Sequence, residues 1–596
     1  MNDFTTRPDI RGTFGAVTTT HWIASAVGMA ILEKGGNAFD AAVATGLTLQ
    51  VVEPHLNGPA GDMPAIIHDA GSGQTRVLCA QGVAPQGATM EHYRAQFGDG
   101  LIPGSGLLAT VVPGAFDGWM LMLRDHGTME LAEVLAPAIA YARDGHPVLP
   151  RVANTIASLA DFFRDEWPSS FDTWLPGGAA PAAWSLFRNP DLAATYHRIC
   201  DEAQGADRTA RIDDARRIWA EGFVADAICD YLSDACVMDV SRSAHSGVLA
   251  RADLARWRAS WETPLSVEYK GWTIHKTQSW SQGPVLLQAL QILKHVDLAA
   301  MDPMGADFVH TVVEAMKLAY ADREAYYGDP DFFDIPIDYL LSDDYAAARA
   351  KLIGPEASLE QRPGHVAGME HLAQDAILRA ATDFNALRGD SAGEPTMAHL
   401  TERRGDTVHL DIVDRWGNMV SATPSGGWLQ SNPVIPGLGF PLNSRAQMFW
   451  LRENLPGTLR PGSRPRTTLT PSMAEKDGTR IAFGTPGGDQ QDQWQLIWFL
   501  RYVNHGIPMQ QGMDSPLFHS MHFQASFYPR DAKPGALMLE PQFGDAVIEE
   551  LRRRGHDVIV SEPWTIGRLT AAQRDPDGML TAAATPRLMQ AYAIGR

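Results

Sequence analysis

Thr407 follows Gly405-Asp406 and opens the run TVHLDIVD, so a hydroxyl residue stands where a polar stretch meets a buried-looking strand. A hydroxyl placed there can attack the carbonyl just before it. The resulting N-to-O acyl shift gives an ester, and its hydrolysis frees Thr407 as a new N-terminus. The freed α-amine, with an ordinary pKa of about 7.7–8, suits removal of the proton from its own hydroxyl. One residue then supplies both nucleophile and base. Taken alone, a threonine opening a strand is an ordinary β-former. The second element is Gly484-Thr485-Pro486-Gly487-Gly488. Consecutive glycines after a strand let two backbone N–H groups point at one oxygen, as an oxyanion hole requires. The plain reading of that segment is a tight turn.

These residues must be held by strands. VHLDIVD, the pair Gly417-Asn418 and MVSAT have the form of a β-hairpin, and RIAFGTP is a further strand ending in the glycine turn. His409, Asp411 and Val413 alternate with Val408, Leu410 and Ile412, which makes one face apolar. His409 lies two residues beyond Thr407 on the same face and is a candidate to orient it from behind. Upstream, helices are expected over about 23–34, stopping at Gly35-Gly36-Asn37, and from Asp40 to near Pro54. Strand-like PAIIHDA and TRVLCA follow. Residues about 115–350 read as largely helical, with 165–183 as a surface excursion. The polar stretch about 354–406 reads as a linker, mobile in its final part, LRGDSAGEPTMAHLTERRGD.

Of 596 residues, 49 are Lys or Arg and 70 are Asp or Glu, a formal charge of −21. Such a surface repels phosphate backbones and anionic lipid, which argues against nucleic-acid and membrane-surface roles. The 45% apolar content supplies a sizeable core and excludes a disordered or fibrous chain. Cys79, Cys200, Cys229 and Cys236 are too few and too irregularly spaced for a disulfide framework, and Cys229 and Cys236 read as packing residues. The first residues lack a basic region followed by an apolar stretch, and no uncharged apolar run reaches about 18 residues. A soluble, cytoplasmic protein is expected. The histidines show no metal-ligand spacing, and neither a phosphate loop nor a dinucleotide fingerprint is present, so no metal and no cofactor are expected. Trp272, Trp280 and Trp428 read as packing residues.

Several segments, in order, carry a resemblance: ILEKGGNAFDAAVATGLTLQVVEP with GPAGD, LLATVVPGAFDGW, HGTMELAEVLAPAIAYARDG, GVLARADLARW and EAMKLAYADREAYYGDPDF, then TVHLDIVDRWGNMVSAT, SRPRTTLTPSM and GTPGGDQQDQ. Together they resemble the γ-glutamyltransferases and their acylase relatives among the N-terminal nucleophile hydrolases, over almost the whole chain. The resemblance implies an α+β fold, a four-layer αββα sandwich. It also implies a precursor cut before Thr407 into a large subunit, 1–406, and a small one, 407–596, paired around one core. A dimer of such heterodimers is the first assembly to consider. Thr407 would be the self-processing and catalytic nucleophile, with Ser425 as the second hydroxyl bonded to it. Gly487 and Gly488 match the oxyanion glycines, and Thr467 and Thr468 match a hydroxyl pair that binds the substrate's carboxylate end. Asp489 and its polar neighbours Gln490 to Gln493 would hydrogen-bond around the pocket.

The departures fall on the γ-glutamyl pocket. In CAQGVAP, Gln81 stands where the family has an arginine for the glutamate α-carboxylate. In PLNSRAQMF, Arg445 and Met448 replace a glutamine and an aspartate that hold the α-amine, and Gly427 replaces an asparagine. A buried ammonium without an anionic partner pays a desolvation penalty of several kcal/mol. A guanidinium fork at Arg445 favours a carboxylate instead, and the alternative for Arg445 is a surface or structural ion pair. The expected activity is therefore an amidohydrolase for a small, carboxylate-bearing acyl group. The alternatives are a γ-glutamyl transpeptidase and an unprocessed, non-catalytic homologue that binds a small acid.

Overall fold

The computed structural model describes residues 4–382 and 407–596. The segment LRGDSAGEPTMAHLTERRGD lies outside the described residues. Among those residues two seven-stranded sheets dominate. The first runs, strand by strand, Tyr592–Gly595, Gly15–Thr19, Leu410–Asp414, Met419–Ala422, Ala65–Asp69, Gln74–Cys79 and Ser260–Glu262. The second runs Ile10–Gly12, Leu580–Ala584, Thr570–Arg574, Thr479–Gly484, Ser472–Lys476, Trp272–Lys276 and Leu265–Tyr269. Every pairing within them is antiparallel. Both sheets combine strands from either side of Thr407.

The layer between the sheets is apolar and mixes the small Ala16, Ala482, Ala572 and Ala582 with the larger Ile66, Val413 and Met419, as the interdigitating inner faces of two stacked sheets require. Helices Trp22–Glu33 and Ala38–Val52 cover the outer face of the first sheet, and Pro284–Leu293 and Gln491–His505 cover that of the second. The result is the αββα sandwich expected for the family resembled.

Local rules explain the borders. His21 caps the first helix by accepting the Ile23 N–H, 3.1 Å, on Nδ1. The second helix starts at Ala38 rather than after Asp40, because Asn37 is the cap and Asp40 closes a capping box with it. In the hairpin, Leu410 faces Ala422 and Ile412 faces Val420. The Asp414 carboxylate accepts the N–H groups of Trp416, Gly417 and Asn418 and so fixes the turn, where Gly417 has φ of 95°.

The apolar face of the hairpin strand, with Leu410 and Ile412, packs under the helices as expected, and His409 and Asp411 on its other face are enclosed as well. Four expectations need correction. Residues 260–276, inside the region read as helical, form three short strands, two of them joined by a turn at Lys270-Gly271 with positive φ at both. The excursion 165–183 contains a helix, Pro168–Trp174, flanked by buried Trp167 and Trp174. The stretch read as a linker from 354 includes a helix, Glu370–Ala380, that buries Leu372 and Ala376. All four cysteines are free, and Cys236 is exposed rather than packed. No helix among the described residues is long and apolar enough to cross a membrane.

Candidate functional site

Thr407 sits at the head of a core strand with its side chain buried. It forms an antiparallel bridge with Ser425, and its Oγ1 donates to Ser425 Oγ at 3.1 Å. Ser425 is locked in turn by paired backbone bonds with Asp62, 2.9 Å for its own N–H and 2.7 Å for that of Asp62. Gly61 permits this approach, since a Cβ there would lie 2.2 Å from the Ser425 carbonyl oxygen. His409 is fully buried, with Nδ1 2.9 Å from Thr423 Oγ1 and Nε2 2.9 Å from Asp411 Oδ1. Asp411 also accepts from Thr570 Oγ1 at 2.7 Å on the facing sheet. Both ring nitrogens of His409 are thus occupied, and through Asp411 it fastens the strand headed by Thr407 across the sandwich.

The ring of His409 lies on Gly484, where a Cβ would come within 2.2 Å of its Cε1. Gly484 ends its strand and leads into the glycine turn. There Gly487 has φ of 142° and Gly488 φ of 55°, and a Cβ on Gly487 would meet the Trp494 ring at 2.2 Å. The Gly487 carbonyl accepts the Gln490 N–H at 3.0 Å. Asp489 is held beneath the turn by Arg323 and by Ser526, whose Oγ and N–H lie 2.6 and 2.8 Å away. Thr467 and Thr468 are buried nearby in sequence to the strand Ser472–Lys476. Thr467 receives the Gln282 N–H on its carbonyl at 2.9 Å, and Thr468 Oγ1 has no partner among the described residues.

Arg445 is buried rather than on the surface. Its Nε donates to Asp62 Oδ2 at 2.6 Å, and its guanidinium stands 5.2 Å from the Trp428 ring centroid. Nη1 and Nη2 are buried with no partner among the described residues. Gln81 reaches the other oxygen of Asp62 with Nε2 at 3.2 Å, and its Oε1 is likewise unpartnered. Gln81 and Arg445 therefore converge on one carboxylate. Burial pushes the Asp62 carboxyl up to about 6, against the pull of Arg445. Gly426 joins this cluster to Ser425, the partner of Thr407: it follows Ser425, and a Cβ on it would lie 3.2 Å from Asp62 Oδ2 and 3.3 Å from Arg445 Nε. Met448 lines a separate small cavity with Glu324, Arg379, Trp450 and Arg466. Burial raises Glu324, but Arg466, Arg323 and Arg379 outweigh it and hold the carboxyl at about 2.

Trp428 faces Phe527, with ring centroids 6.1 Å apart, and Phe527 in turn packs against Gly488. Trp272 packs on Phe499 and Tyr502, and Trp280 donates to Glu262 at 2.8 Å, so both are core residues. Asp62, Gln282 and Arg323 were not singled out from the sequence. Asp62 ends GPAGD, and a lone acid after glycines was the available signal. Among the described residues one set of potential metal ligands appears, His310, Glu314 and His556, with ligand atoms within 4.8 Å of one another. The Glu314 carboxylate there already carries Lys317 and Arg362, two cations that oppose a metal ion.

Comparison with known proteins places the whole chain among named relatives. The family model for gamma-glutamyltranspeptidase matches residues 24–594. The acylase ACY 1 proenzyme of Pseudomonas sp. strain SE83 is 32% identical, covering 96% of this chain and 92% of its own. The oxamate amidohydrolase proenzyme of Klebsiella pneumoniae is 31% identical, covering 96% and 97%. The solved structure of LmbA2991HD is 50% identical over 100% of both chains, with a TM-score of 0.90. By its length of match and its αββα fold, the chain belongs to the gamma-glutamyltranspeptidase family and is an amidohydrolase-type enzyme of it.

Proposed function

We propose that this protein is an autoprocessed N-terminal threonine amidohydrolase that releases an amine from a small acyl group bearing a free carboxylate. The observation that carries the substrate class is the buried Arg445 fork, bonded to Asp62 through Nε and unpartnered at both terminal nitrogens. Two parallel N–H donors match one carboxylate. The oxamate named for one relative is itself an amide with a free carboxylate.

Processing before Thr407 frees its α-amine, which takes the proton from Oγ1 as that oxygen attacks the substrate carbonyl. The N–H groups of Gly487 and Gly488 receive the developing oxyanion. The proton passes to the departing amine, and water then splits the acyl-enzyme to the free acid. Ser425, 3.1 Å from the attacking oxygen, holds it in place. The γ-glutamyl alternative fits less well, because the substrate ammonium needs an anion and the Asp62 carboxylate is already shared by Arg445 and Gln81.

The test has two parts. N-terminal sequencing of the purified protein should find a second chain beginning at Thr407, and an intact chain after prolonged incubation would sink the proposal. Hydrolysis of oxamate, succinamate, glutaramate and γ-glutamyl-p-nitroanilide should then favour one of the three carboxylate amides. Faster turnover of the γ-glutamyl anilide, with transfer to a dipeptide, would establish the transpeptidase instead.

A further inference from the structure

Gln282 stands between two segments of the site and touches both through main-chain atoms. Its own N–H donates to the Thr467 carbonyl at 2.9 Å, and its side-chain Nε2 donates to the Gly488 carbonyl at 3.1 Å. The other end of the amide, Oε1, accepts from Arg323 Nη1 at 2.8 Å. Gln282 and Arg323 are both fully buried. Arg323 lies 4.5 Å from the Tyr320 ring centroid, and the same Nη1 bonds the Asp489 carboxylate. Tyr320 Oη completes the set by donating to the Asp489 carbonyl.

These bonds fix the rotation of successive peptide planes in the glycine turn. The Gly487 carbonyl points inward to the Gln490 N–H. Across a trans peptide the N–H opposes the carbonyl, so the Gly488 N–H points out of the turn. The Gly488 carbonyl is tied to Gln282 and the Asp489 carbonyl to Tyr320. The grip on the Gly487 carbonyl sets this N–H directly, and because Gly488, at φ of 55°, has no Cβ to restrict rotation, holding that plane also depends on the grip on the next carbonyl, that of Gly488.

We propose that Gln282, itself oriented by Arg323, is a positioning residue that aims the Gly488 N–H at the reacting carbonyl. The inference rests on the reading of Gly488 as an oxyanion donor. Glutamine suits the task because a single planar amide accepts from the arginine at one end and donates to the carbonyl at the other. Glutamate at the same position keeps the first contact and turns the second into repulsion between oxygens.

Gln282→Glu and Gln282→Met separate the roles, assayed with the best substrate of the four amides above. In Gln282→Glu, kcat should fall by about 10- to 100-fold, less than or comparable to the loss of an oxyanion donor itself. KM should stay within about threefold, and the melting temperature should stay close to that of the wild type. Gln282→Met, which keeps the volume and loses both bonds, should show the same split between kcat and KM. A Gln282→Glu enzyme with kcat within about twofold of the wild type overturns the positioning role, as does a rise in KM that accounts for the whole loss. A wild-type protein that releases no Thr407 terminus and hydrolyses none of the amides overturns the underlying reading, and with it this proposal.

Discussion

Arg445 meets Asp62 through Nε alone, at 2.6 Å, so the two nitrogens at the tip of the guanidinium remain available. Removing one member of a buried pair strands the other's charge at a cost of about 3–5 kcal/mol, whereas removing both is often neutral. Arg445→Leu should therefore lower the melting temperature and raise KM for carboxylate amides by at least about 100-fold, a charge-assisted fork contributing roughly 3 kcal/mol. The double variant Asp62→Leu with Arg445→Leu should regain melting temperature and leave KM high. Recovery of KM in the double variant would show that Arg445 does not touch substrate.

The Asp62 carboxyl, pushed by burial from 3.8 up to about 6, holds its proton more tightly folded than unfolded. Its stabilising contribution, about 3 kcal/mol, is thus full below pH 4 and is lost as pH rises through 6. Thermal melts from pH 4 to 7 should show this loss in the wild type relative to Asp62→Asn. KM for the carboxylate substrate should rise over the same interval, as the ionised Asp62 competes for Arg445. An identical pH dependence in Asp62→Asn would place the titration elsewhere.

Thr407→Ala lacks the hydroxyl that the proposed mechanism uses for both the acyl shift and turnover. It should run as one band near 64.9 kDa on a denaturing gel and hydrolyse nothing. Any cleaved product from this variant would assign processing to another group.

Gly484→Ala places a methyl 2.2 Å from His409 Cε1. Overpacking of this kind costs about 1–3 kcal/mol, and the ring must leave Thr423 or Asp411 to relieve it. Lower melting temperature together with slower appearance of the Thr407 terminus is the expected result. An unchanged rate of processing would mean that His409 fastens the sheets without guiding Thr407.

Legibility followed sequence distance. The hairpin 410–422 and the turn at Gly487-Gly488 are short-range patterns, and alternation, turn residues and paired glycines exposed them directly. The Asp62–Arg445 contact spans 383 residues and leaves no periodic trace. Arg323 lies in helix Ala306–Tyr326, which is buried on nearly every face, so no polar stripe set it apart from its neighbours. The strands at 260–276 are three to five residues long, too short for alternation to compete with the helical patterns around them. Arg445 itself was marked by its departure from the family pattern, but its partner was hidden by the fold.

The strand Gly15–Thr19 is hydrogen-bonded along one edge to Leu410–Asp414 and along the other to Tyr592–Gly595. A segment from ahead of Thr407 is therefore gripped from both sides by segments that follow it, like a tongue in a clasp. Severing the backbone before Thr407 opens no seam along which the halves could slide apart. Their separation requires five ladders across the two sheets to rip, so exchange of isotopically labelled halves between molecules should proceed only as fast as the whole sandwich unfolds.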